Sequence, residues 1–208
     1  MDWDWEDHGF VVKRGFFDEH VIDEFLDFYQ KQYLDTGQKP NDNDYLRYLS
    51  VRDLLCHKSL NDVWAELQIE AGIEACLLWW EMEPTGWHLD RLYHPTRSAG
   101  IWIALDDIPE ESGRFEIMPG SNHWKFEREK CMPLGGGGTN DYVQSVLDQH
   151  DCEVYAFDGH KGDLLVWHPD AIHRRAPGQP GIPRKAAVAL CNEMGLVRHG
   201  LDGAWFQP

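Results

Sequence analysis

The hydrophobic pattern of the 208-residue chain changes near Ala75, and this change restricts the folds that the chain can adopt. After that point the apolar residues occur in short runs, rich in leucine, aromatic and β-branched side chains, with Gly, Pro or Asp between them. Residues 77–80 and 101–105 are two such runs. Short apolar runs separated by turn residues predict strands, and a succession of them is typical of a jelly roll or barrel. The sequence therefore predicts a mainly β core rather than alternating strands and helices.

The residues before this point predict a mostly helical segment. Apolar side chains recur at helical spacing over residues 18–33 and 60–67, so we expect two helices that flank the sheet. Residues 10–12 are apolar and β-branched, which indicates an edge strand. We interpret residues 1–208 as a single domain, long enough to bury a core. Its three parts are a helical N-terminal part (1–72), a jelly-roll core (73–195) and a C-terminal tail (196–208).

The chain is strongly acidic, with 36 Asp and Glu residues against 19 Lys and Arg residues and a formal net charge of -17 at pH 7. Such a charge repels nucleic acid and anionic membrane surfaces, so neither is expected as a partner. No apolar run approaches the ~20 residues of a membrane span, and the first five residues do not resemble a signal peptide. The five cysteines are scattered without a Cys-x-x-Cys pair, which favours reduced thiols over a zinc site. We therefore expect a soluble cytoplasmic protein.

A His-x-Asp triplet, His88-Leu89-Asp90, is a candidate for part of a metal site. Residues i and i+2 of an extended strand project from the same face, so the imidazole and the carboxylate can reach one ion. His173 suits as the third ligand, because it follows the apolar run 164–167, which can return antiparallel beside the first strand. Two imidazoles and one carboxylate on one face of an octahedral ion leave three positions open, which is the arrangement of non-haem Fe(II) oxygenases.

The triplet alone is weak evidence, because about one is expected by chance in a chain with 11 His and many Asp. A second triplet, His168-Pro169-Asp170, also lies near His173. Pro169 lacks the backbone N–H that a regular strand requires, so this second triplet indicates a turn. On spacing alone, a metal site and satisfied structural histidines both remain open.

Five stretches of the chain, in order, carry a family resemblance. They are HGFVV at 8–12, WHLD at 87–90, IWIALDD at 101–107, GRFEIMPGSNHW at 113–124 and GDLLVWHPDAIHR at 162–174. Together they resemble the phytanoyl-CoA dioxygenase family of Fe(II)- and 2-oxoglutarate-dependent oxygenases, over nearly the whole chain. The resemblance implies a double-stranded β-helix, the cupin-like form of the jelly roll.

The resemblance also implies roles for individual residues. His88, Asp90 and His173 match the family's iron ligands, and Arg184 matches the arginine that holds the distal carboxylate of 2-oxoglutarate. Trp102 is expected either to line the cosubstrate pocket or to pack in the core. Many family members carry a small hydroxyl residue shortly after the second ligand histidine, where this chain has Arg174 and Arg175 in sequence.

The activity that the resemblance implies is oxidation of an unactivated C–H bond of a small molecule, with hydroxylation as the default outcome. Fe(II), 2-oxoglutarate and O2 would be required, and succinate and CO2 released. Asp90 disfavours halogenation, because halogenases of this class need that coordination position for halide. Two alternatives remain: a non-catalytic jelly-roll protein that binds or senses a ligand, and a cupin-like metalloenzyme that needs no 2-oxoglutarate.

Two further features bear on the site. In the last predicted strand, Arg184 shares a face with the small or aliphatic residues 186, 188 and 190. If that face turns inward, the guanidinium has room inside the barrel; the alternative is an exposed arginine at the start of a strand. The planar fork of Arg184 suits a carboxylate, which the ammonium of Lys185 could not reproduce. The four glycines at 135–138 predict a mobile loop, which is either a lid over the substrate or a surface insertion.

Overall fold

The computed structural model describes residues 3–69, 72–79, 83–90, 98–131, 138–192, 198–199 and 205–206. The helices are α1 Trp5–His8, α2 Glu19–Tyr29, α3 Asp44–Arg47, α4 Leu49–Leu55, α5 Leu60–Leu67 and α6 Asp141–Leu147. A π-helix, Gln30–Leu34, continues α2, and short 3-10 helices are found at Glu110–Ser112, Ser121–His123 and Arg128–Lys130. The strands are β1 Phe10–Lys13, β2 Gly72–Trp79, β3 Ser98–Ala104, β4 Phe115–Ile117, β5 Tyr155–Ala156, β6 Leu164–Trp167, β7 His173–Arg175, β8 Ala186–Asn192, β9 Arg198–His199 and β10 Trp205–Phe206.

The strands form two antiparallel sheets and a short ribbon. The larger sheet has the order β1-β6-β3-β8-β2, the smaller has the order β5-β4-β7, and β9 pairs with β10. Side chains from both sheets meet in one buried apolar cluster, which includes Trp102 and Val188 of the larger sheet and Phe115 of the smaller. Two antiparallel sheets that pack face to face over a shared core form the predicted jelly roll.

The central strand β3 shows why this sequence builds a two-sided core. All seven of its residues are buried, because helices cover one face and the smaller sheet covers the other. Ala99, Ile101 and Ile103 pack in the cluster that contains the helices, whereas Trp102 and Ala104 pack in the cluster between the sheets. This alternation follows the two-residue period of a strand.

The predicted flanking helices are present. Helix α2 and its π-helical continuation cover the predicted range, and α5 has the predicted bounds. Buried residues of α2, such as Ile22 and Phe25, pack in the same cluster as Ile101 of β3. The predicted edge strand is also confirmed, since β1 lies at one end of the larger sheet and pairs with β6. Strand β1 belongs to the predicted N-terminal part (1–72) but pairs with β6 of the predicted jelly-roll core. The division of the chain into three parts therefore stays a prediction.

No helix within the described residues is long and apolar enough to span a membrane. All five cysteines are free thiols, as predicted, and Cys56, Cys76, Cys131 and Cys191 are buried.

Candidate metal centre

His88 and His173 are neighbours on paired backbones. The amide of His88 donates to the carbonyl of His173 at 3.0 Å, and the amide of His173 donates back at 3.1 Å. Of the described residues 83–90, only His88 takes part in a β-bridge, so the prediction of a regular strand for this segment is wrong. The backbone bonds of the flanking residues go elsewhere: the amide of Leu89 donates to the carbonyl of Cys131 at 2.8 Å.

The predicted alternation of side chains survives without the regular strand. Trp87 and Leu89 are buried in an apolar cluster with Val143 and Val146 of α6. His88 and Asp90 point the other way and line the cavity between the sheets. The extended backbone is enough to place both potential ligands on one face.

The structure brings the three predicted ligands together. One donor atom from each of His88, Asp90 and His173 lies within 4.8 Å of the others. The Nε2 of His173 is 3.2 Å from Oδ2 of Asp90, and the Nε2 of His88 is 3.9 Å from Oδ1 of the same carboxylate. These atoms surround a point that a single ion can occupy, and the residue types are those of the non-haem iron facial triad.

Both imidazoles are fixed in the orientation that a metal requires. The Nδ1 of His88 is 2.7 Å from the carbonyl oxygen of Gly86, and the Nδ1 of His173 is 3.0 Å from that of Ala171. A carbonyl accepts but cannot donate, so each Nδ1 carries the proton and the neutral ring presents an Nε2 lone pair. Burial is the main cause that lowers the pKa of His88 to about 4, against the opposing effect of Asp90, and this keeps the ring neutral near pH 7.

The carboxylate of Asp90 is held ionised. Burial would raise its pKa, but His173, His88 and the indole of Trp167 outweigh burial and lower the pKa to about 2. The Nε1 of Trp167 donates to Oδ2 of Asp90 at 3.1 Å. Trp167 also contacts the ring of His173, with the centroids 5.5 Å apart, and thus positions two of the three predicted ligands.

The contact of Trp167 with Asp90 depends on a glycine in the next strand. Gly100 of β3 lies directly opposite Trp167 of β6. A Cβ at Gly100 would lie 2.0 Å from ring atoms of that indole, so a side chain there would displace it. The sequence alone does not reveal this pair, because no local pattern indicates which strand lies beside β6.

Arg128 is a further residue that the sequence did not indicate. Its Nη2 donates to the backbone carbonyl of Asp90 at 3.0 Å, and its Nη1 donates to that of Pro169 at 2.8 Å. The same guanidinium forms an ion pair with Asp170. Arg128 thereby ties the segment that carries Asp90 to the loop that precedes His173.

The second His-x-Asp triplet has a structural role. The Nδ1 of His168 accepts a hydrogen bond from the amide of Asp170 at 3.1 Å, and the imidazole packs against Trp5 with the centroids 5.2 Å apart. Residues 168–171 form a turn, as Pro169 indicated. The carboxylate of Asp170 forms an ion pair with Arg128 and so helps to hold this turn in place.

The triad lines a cavity of about 160 Å³. The other lining residues are Leu77, Glu83, Thr85, Trp102, Phe115, Trp167, Arg174, Arg175, Arg184, Val188 and Leu190. All five predicted site residues, including Trp102 and Arg184, therefore face one space. Trp102 is fully buried and belongs both to this lining and to the core cluster, so both of its expected roles are compatible with its place.

Arg184 brings a buried positive charge to this cavity. The side chain is only 1% exposed, its Nη1 donates to the carbonyl of Gly113 at 3.0 Å, and its guanidinium carbon lies 5.7 Å from the centroid of the Trp102 ring. Burial and the neighbouring charge of Arg175 lower the pKa of Arg184 to about 9. A bound anion in the cavity would offset both effects, because its negative charge favours the protonated guanidinium.

Two buried polar atoms on the cavity lining add to this picture. Neither Nε1 of Trp102 nor Nε of Arg175 has a hydrogen-bond partner among the residues that the structure describes. Buried donors are rarely left without an acceptor, because desolvation costs about 1–3 kcal/mol. A bound acceptor group in the cavity would satisfy them.

Comparison with known families agrees with this geometry. The family model described as phytanoyl-CoA dioxygenase (PhyH) matches residues 80–186, which are more than half of the chain and include all five predicted site residues. The chain belongs to this family. The family prediction made from the sequence is thus confirmed.

One curated relative of this PhyH-family chain is phytanoyl-CoA dioxygenase domain-containing protein 1 of Danio rerio. It is 28% identical over 81 residues, which are 38% of this chain and 28% of the relative's length. The match therefore leaves most of both proteins unaligned.

Solved structures with the same fold cover far more of the chain. The alpha-ketoglutarate-dependent epimerase SnoN from nogalamycin biosynthesis has a TM-score of 0.72 and 16% identity, covering 93% of this chain and 81% of SnoN. HygX from Streptomyces hygroscopicus, solved with nickel and 2-oxoglutarate bound, has a TM-score of 0.67 and 15% identity, covering 96% of this chain and 90% of HygX. The predicted jelly roll of the PhyH-family chain is confirmed.

The glycine run that suggested a lid lies mostly outside the described residues, since the structure describes only Gly138 of the four. Gly138 packs against the segment that carries His88 and Asp90: a Cβ at Gly86 would lie 2.1 Å from the carbonyl oxygen of Gly138. The next residue, Thr139, accepts a hydrogen bond from the amide of Trp87 at 2.9 Å. A lid in this PhyH-family protein stays a prediction.

Proposed function

We propose that the protein is an Fe(II)- and 2-oxoglutarate-dependent oxygenase that hydroxylates an unactivated C–H bond of a small-molecule substrate and releases succinate and CO2. One observation carries the proposal. Two imidazoles and a carboxylate, His88, His173 and Asp90, converge in a cavity that also contains the buried guanidinium of Arg184.

The triad fits a resident Fe(II). Both Nε2 atoms are free to bind a metal because both Nδ1 atoms are committed to carbonyls, and Asp90 supplies a negative charge. Three protein ligands on an octahedral ion would leave room for the cosubstrate and O2. When bound there, the iron supplies the oxidising chemistry, while the protein supplies ligation, orientation and exclusion of water.

Arg184 fits the distal carboxylate of 2-oxoglutarate. Its side chain is buried, lines the same cavity as the triad and has a depressed pKa that an anion would restore. The indole of Trp102 lies beside this guanidinium and offers a buried N–H to the same carboxylate. Arg184 would thus orient the cosubstrate by a charge-assisted hydrogen bond, and Trp102 would close one wall.

Aromatic side chains keep the reacting end of the cavity dry and rigid. The ring of Phe115 stacks on His173 with the centroids 5.2 Å apart, and Trp167 packs against the same imidazole. Both aromatic residues are buried. Such packing limits rotation of the histidine and shields its metal-binding face from bulk water.

The solved structures support the proposal at the level of class. HygX holds nickel and 2-oxoglutarate, and SnoN was solved with Fe3+, alpha-ketoglutarate and a nogalamycin compound. Both have the fold of this chain. Exclusion of nucleic acid and membrane as partners, and a cytoplasmic location, stay predictions from the charge and composition of the chain.

Turnover without substrate tests the proposal. Protein reconstituted with Fe(II) in air should convert 2-oxoglutarate slowly to succinate, and a metabolite that is a true substrate should accelerate this reaction. Succinate can be measured by NMR, with Asp90→Ala as the control that lacks one predicted ligand. Succinate formation no faster than in Asp90→Ala, with and without metabolites, would contradict the oxygenase. It would favour a binding protein or a metalloenzyme that needs no 2-oxoglutarate.

A further inference from the structure

Arg175 is a second arginine on the lining of the triad cavity. It follows His173 by two residues on β7, so both side chains project from the same face of that strand. Two residues span about 6.6 Å along a strand. Arg175 therefore lies farther along the cavity than the imidazole of His173.

Arg175 and Arg184 lie at the same end of the barrel. Arg175 is paired with Phe115 of β4, and Arg184 donates to the carbonyl of Gly113, two residues before Phe115. The triad lies toward the opposite end, where Trp167 contacts Asp90 and is paired with Gly100. The cavity thus runs from a metal-binding end to an end with two guanidinium groups.

The backbone of Arg175 is anchored, which fixes where its side chain begins. Its amide donates to Oγ1 of Thr85 at 2.7 Å, and its carbonyl accepts from the amide of Thr85 at 3.1 Å. Its guanidinium is held less firmly, because the hydrogen bond from Nη1 to the carbonyl oxygen of Glu83 is long, at 3.5 Å. With its Nε lacking a partner among the described residues, the buried guanidinium can still donate to a ligand.

Beyond Arg175 lies a second, more open cavity of about 470 Å³. Its walls are the loop residues Gly178, Gln179, Pro180, Gly181 and Ile182, together with Glu83, Pro84, Ser112 and Arg175. Glu83 and Arg175 line both this outer cavity and the triad cavity. The Arg175 side chain therefore stands at the boundary between the two spaces.

We propose that Arg175 completes a two-arginine subsite for the distal carboxylate of the 2-oxo acid and closes the far end of its pocket. The inference rests on the proposed function and adds a selectivity to it. Arg175 and Arg184 together favour a dicarboxylate over a 2-oxo acid with an uncharged tail. The bulk of Arg175 restricts the dicarboxylate to the length of 2-oxoglutarate.

Binding of three 2-oxo acids to nickel-loaded protein tests this selectivity without turnover. 2-Oxoglutarate has the distal carboxylate, 2-oxovalerate has a methyl group in its place, and 2-oxoadipate is one methylene longer. Wild-type protein should bind 2-oxoglutarate most tightly in calorimetric titrations. Arg175→Ser should bind 2-oxoglutarate about 10-fold to 100-fold more weakly, because one charge-assisted contact is lost.

The other two acids separate charge from length. Arg175→Ser should bind 2-oxovalerate within about twofold of wild type, since that acid never contacts a distal cation. The variant should also lose most of its preference for 2-oxoglutarate over 2-oxoadipate, because the pocket opens into the outer cavity. Arg175→Lys keeps the charge without the planar fork, and should have intermediate affinity for 2-oxoglutarate and retain the preference for a dicarboxylate.

Arg47→Ser is the matched control, since Arg47 is exposed on α3 and pairs with Asp44 away from the cavity. It should bind all three acids as wild type does. Circular dichroism establishes that each variant is folded, and should Arg175→Ser fail to fold, the comparison rests on Arg175→Lys. If both Arg175 variants bound the three acids with wild-type affinities and wild-type affinity ratios, the inference about Arg175 would be wrong and the proposed function would still stand. Failure of wild-type protein to bind any 2-oxo acid would instead count against the proposed function.

Discussion

Asp90 and Asp170 occupy the same position in two His-x-Asp triplets, yet their contacts differ. Asp90 lies within 4 Å of the Nε2 atoms of both His88 and His173. Asp170 pairs with Arg128 at the edge of a turn. One carboxylate is placed to bind a metal, and the other secures the loop beside it.

Substitutions of the two aspartates should therefore have different effects on the protein. Asp90→Ala should fold but bind Fe(II) far more weakly, because one of three predicted ligands and its negative charge are lost. Asp170→Ala should retain iron and lose ~1 kcal/mol of unfolding free energy, the value of a partly exposed ion pair. Metal content and urea denaturation of both purified proteins measure this. Iron lost from Asp170→Ala and kept in Asp90→Ala would place the metal at the second triplet.

His168 makes folding stability depend on pH. Burial, with the charge of Arg128, lowers its pKa to about 4 from an ordinary value near 6.5. As the pH falls from 6.5 to 4, the unfolded chain takes up a proton that the folded protein refuses, so stability is lost over that window. Allowing for partial solvent exposure, the loss is about 1–3 kcal/mol.

His168→Gln should therefore show a shallower decline of melting temperature between pH 7 and pH 5 than wild type. The Gln amide oxygen can still accept the hydrogen bond from the Asp170 amide, so the turn is preserved. Superimposable pH profiles for the two proteins would show that His168 is protonated equally in the folded and unfolded chains.

The roles of individual site residues could be predicted where they depend on a local sequence pattern or a family motif. The two-residue period places His88 and Asp90 on one face, and the family motif supplies His173 and Arg184. Arg128 could not be predicted, because its three partners come from two other segments and nothing in the run 125–130 distinguishes it from other basic residues.

At the scale of elements, the pairing of β3 with β6 determines how the site is supported. Gly100 leaves the space that the Trp167 indole fills, and that indole donates to Asp90. Periodicity predicted both strands but not their pairing. The strand order β1-β6-β3-β8-β2 consists of contacts between residues distant in sequence, which local propensity does not encode.

Gly100→Ala should destabilise the protein by about 1–3 kcal/mol, because the new methyl group overpacks against the Trp167 ring. It should also weaken iron binding, since the displaced indole no longer reaches Asp90. In a Trp167→Phe background the smaller ring leaves room, so Gly100→Ala should cost measurably less stability. Urea denaturation of the four proteins of this double-mutant cycle gives the coupling. Additive effects would show that the two side chains do not compete for space.

The segment that carries His88 and Asp90 shows where element prediction failed. Its extended backbone was predicted, but among the described residues 83–90 only His88 forms a β-bridge. The amides of Trp87 and Leu89 donate instead to the hydroxyl of Thr139 and the carbonyl of Cys131. Cys131 directly follows the 3-10 helix Arg128–Lys130, and Thr139 directly follows the glycine run 135–138. Their approach depends on the folded chain, which a strand pattern cannot reveal.

At the scale of the whole molecule, the arginines that line the cavity have a charge opposite in sign to the net charge of the chain. The chain has a net charge of -17, yet the cavity between the sheets is lined by the buried arginines Arg175 and Arg184. A small anion would find positive charge inside a protein that repels large polyanions. The composition predicted the acidic net charge, whereas the basic lining of the cavity depends on which faces of the strands turn inward.

The central claim, that this cavity binds Fe(II) and 2-oxoglutarate together, is tested most directly by an anaerobic visible spectrum. Metal-free protein is first saturated with Fe(II), and 2-oxoglutarate is then added. The account predicts one iron per chain and a weak visible charge-transfer band that develops only after the 2-oxo acid binds. A flat difference spectrum at saturating iron and 2-oxoglutarate would contradict it.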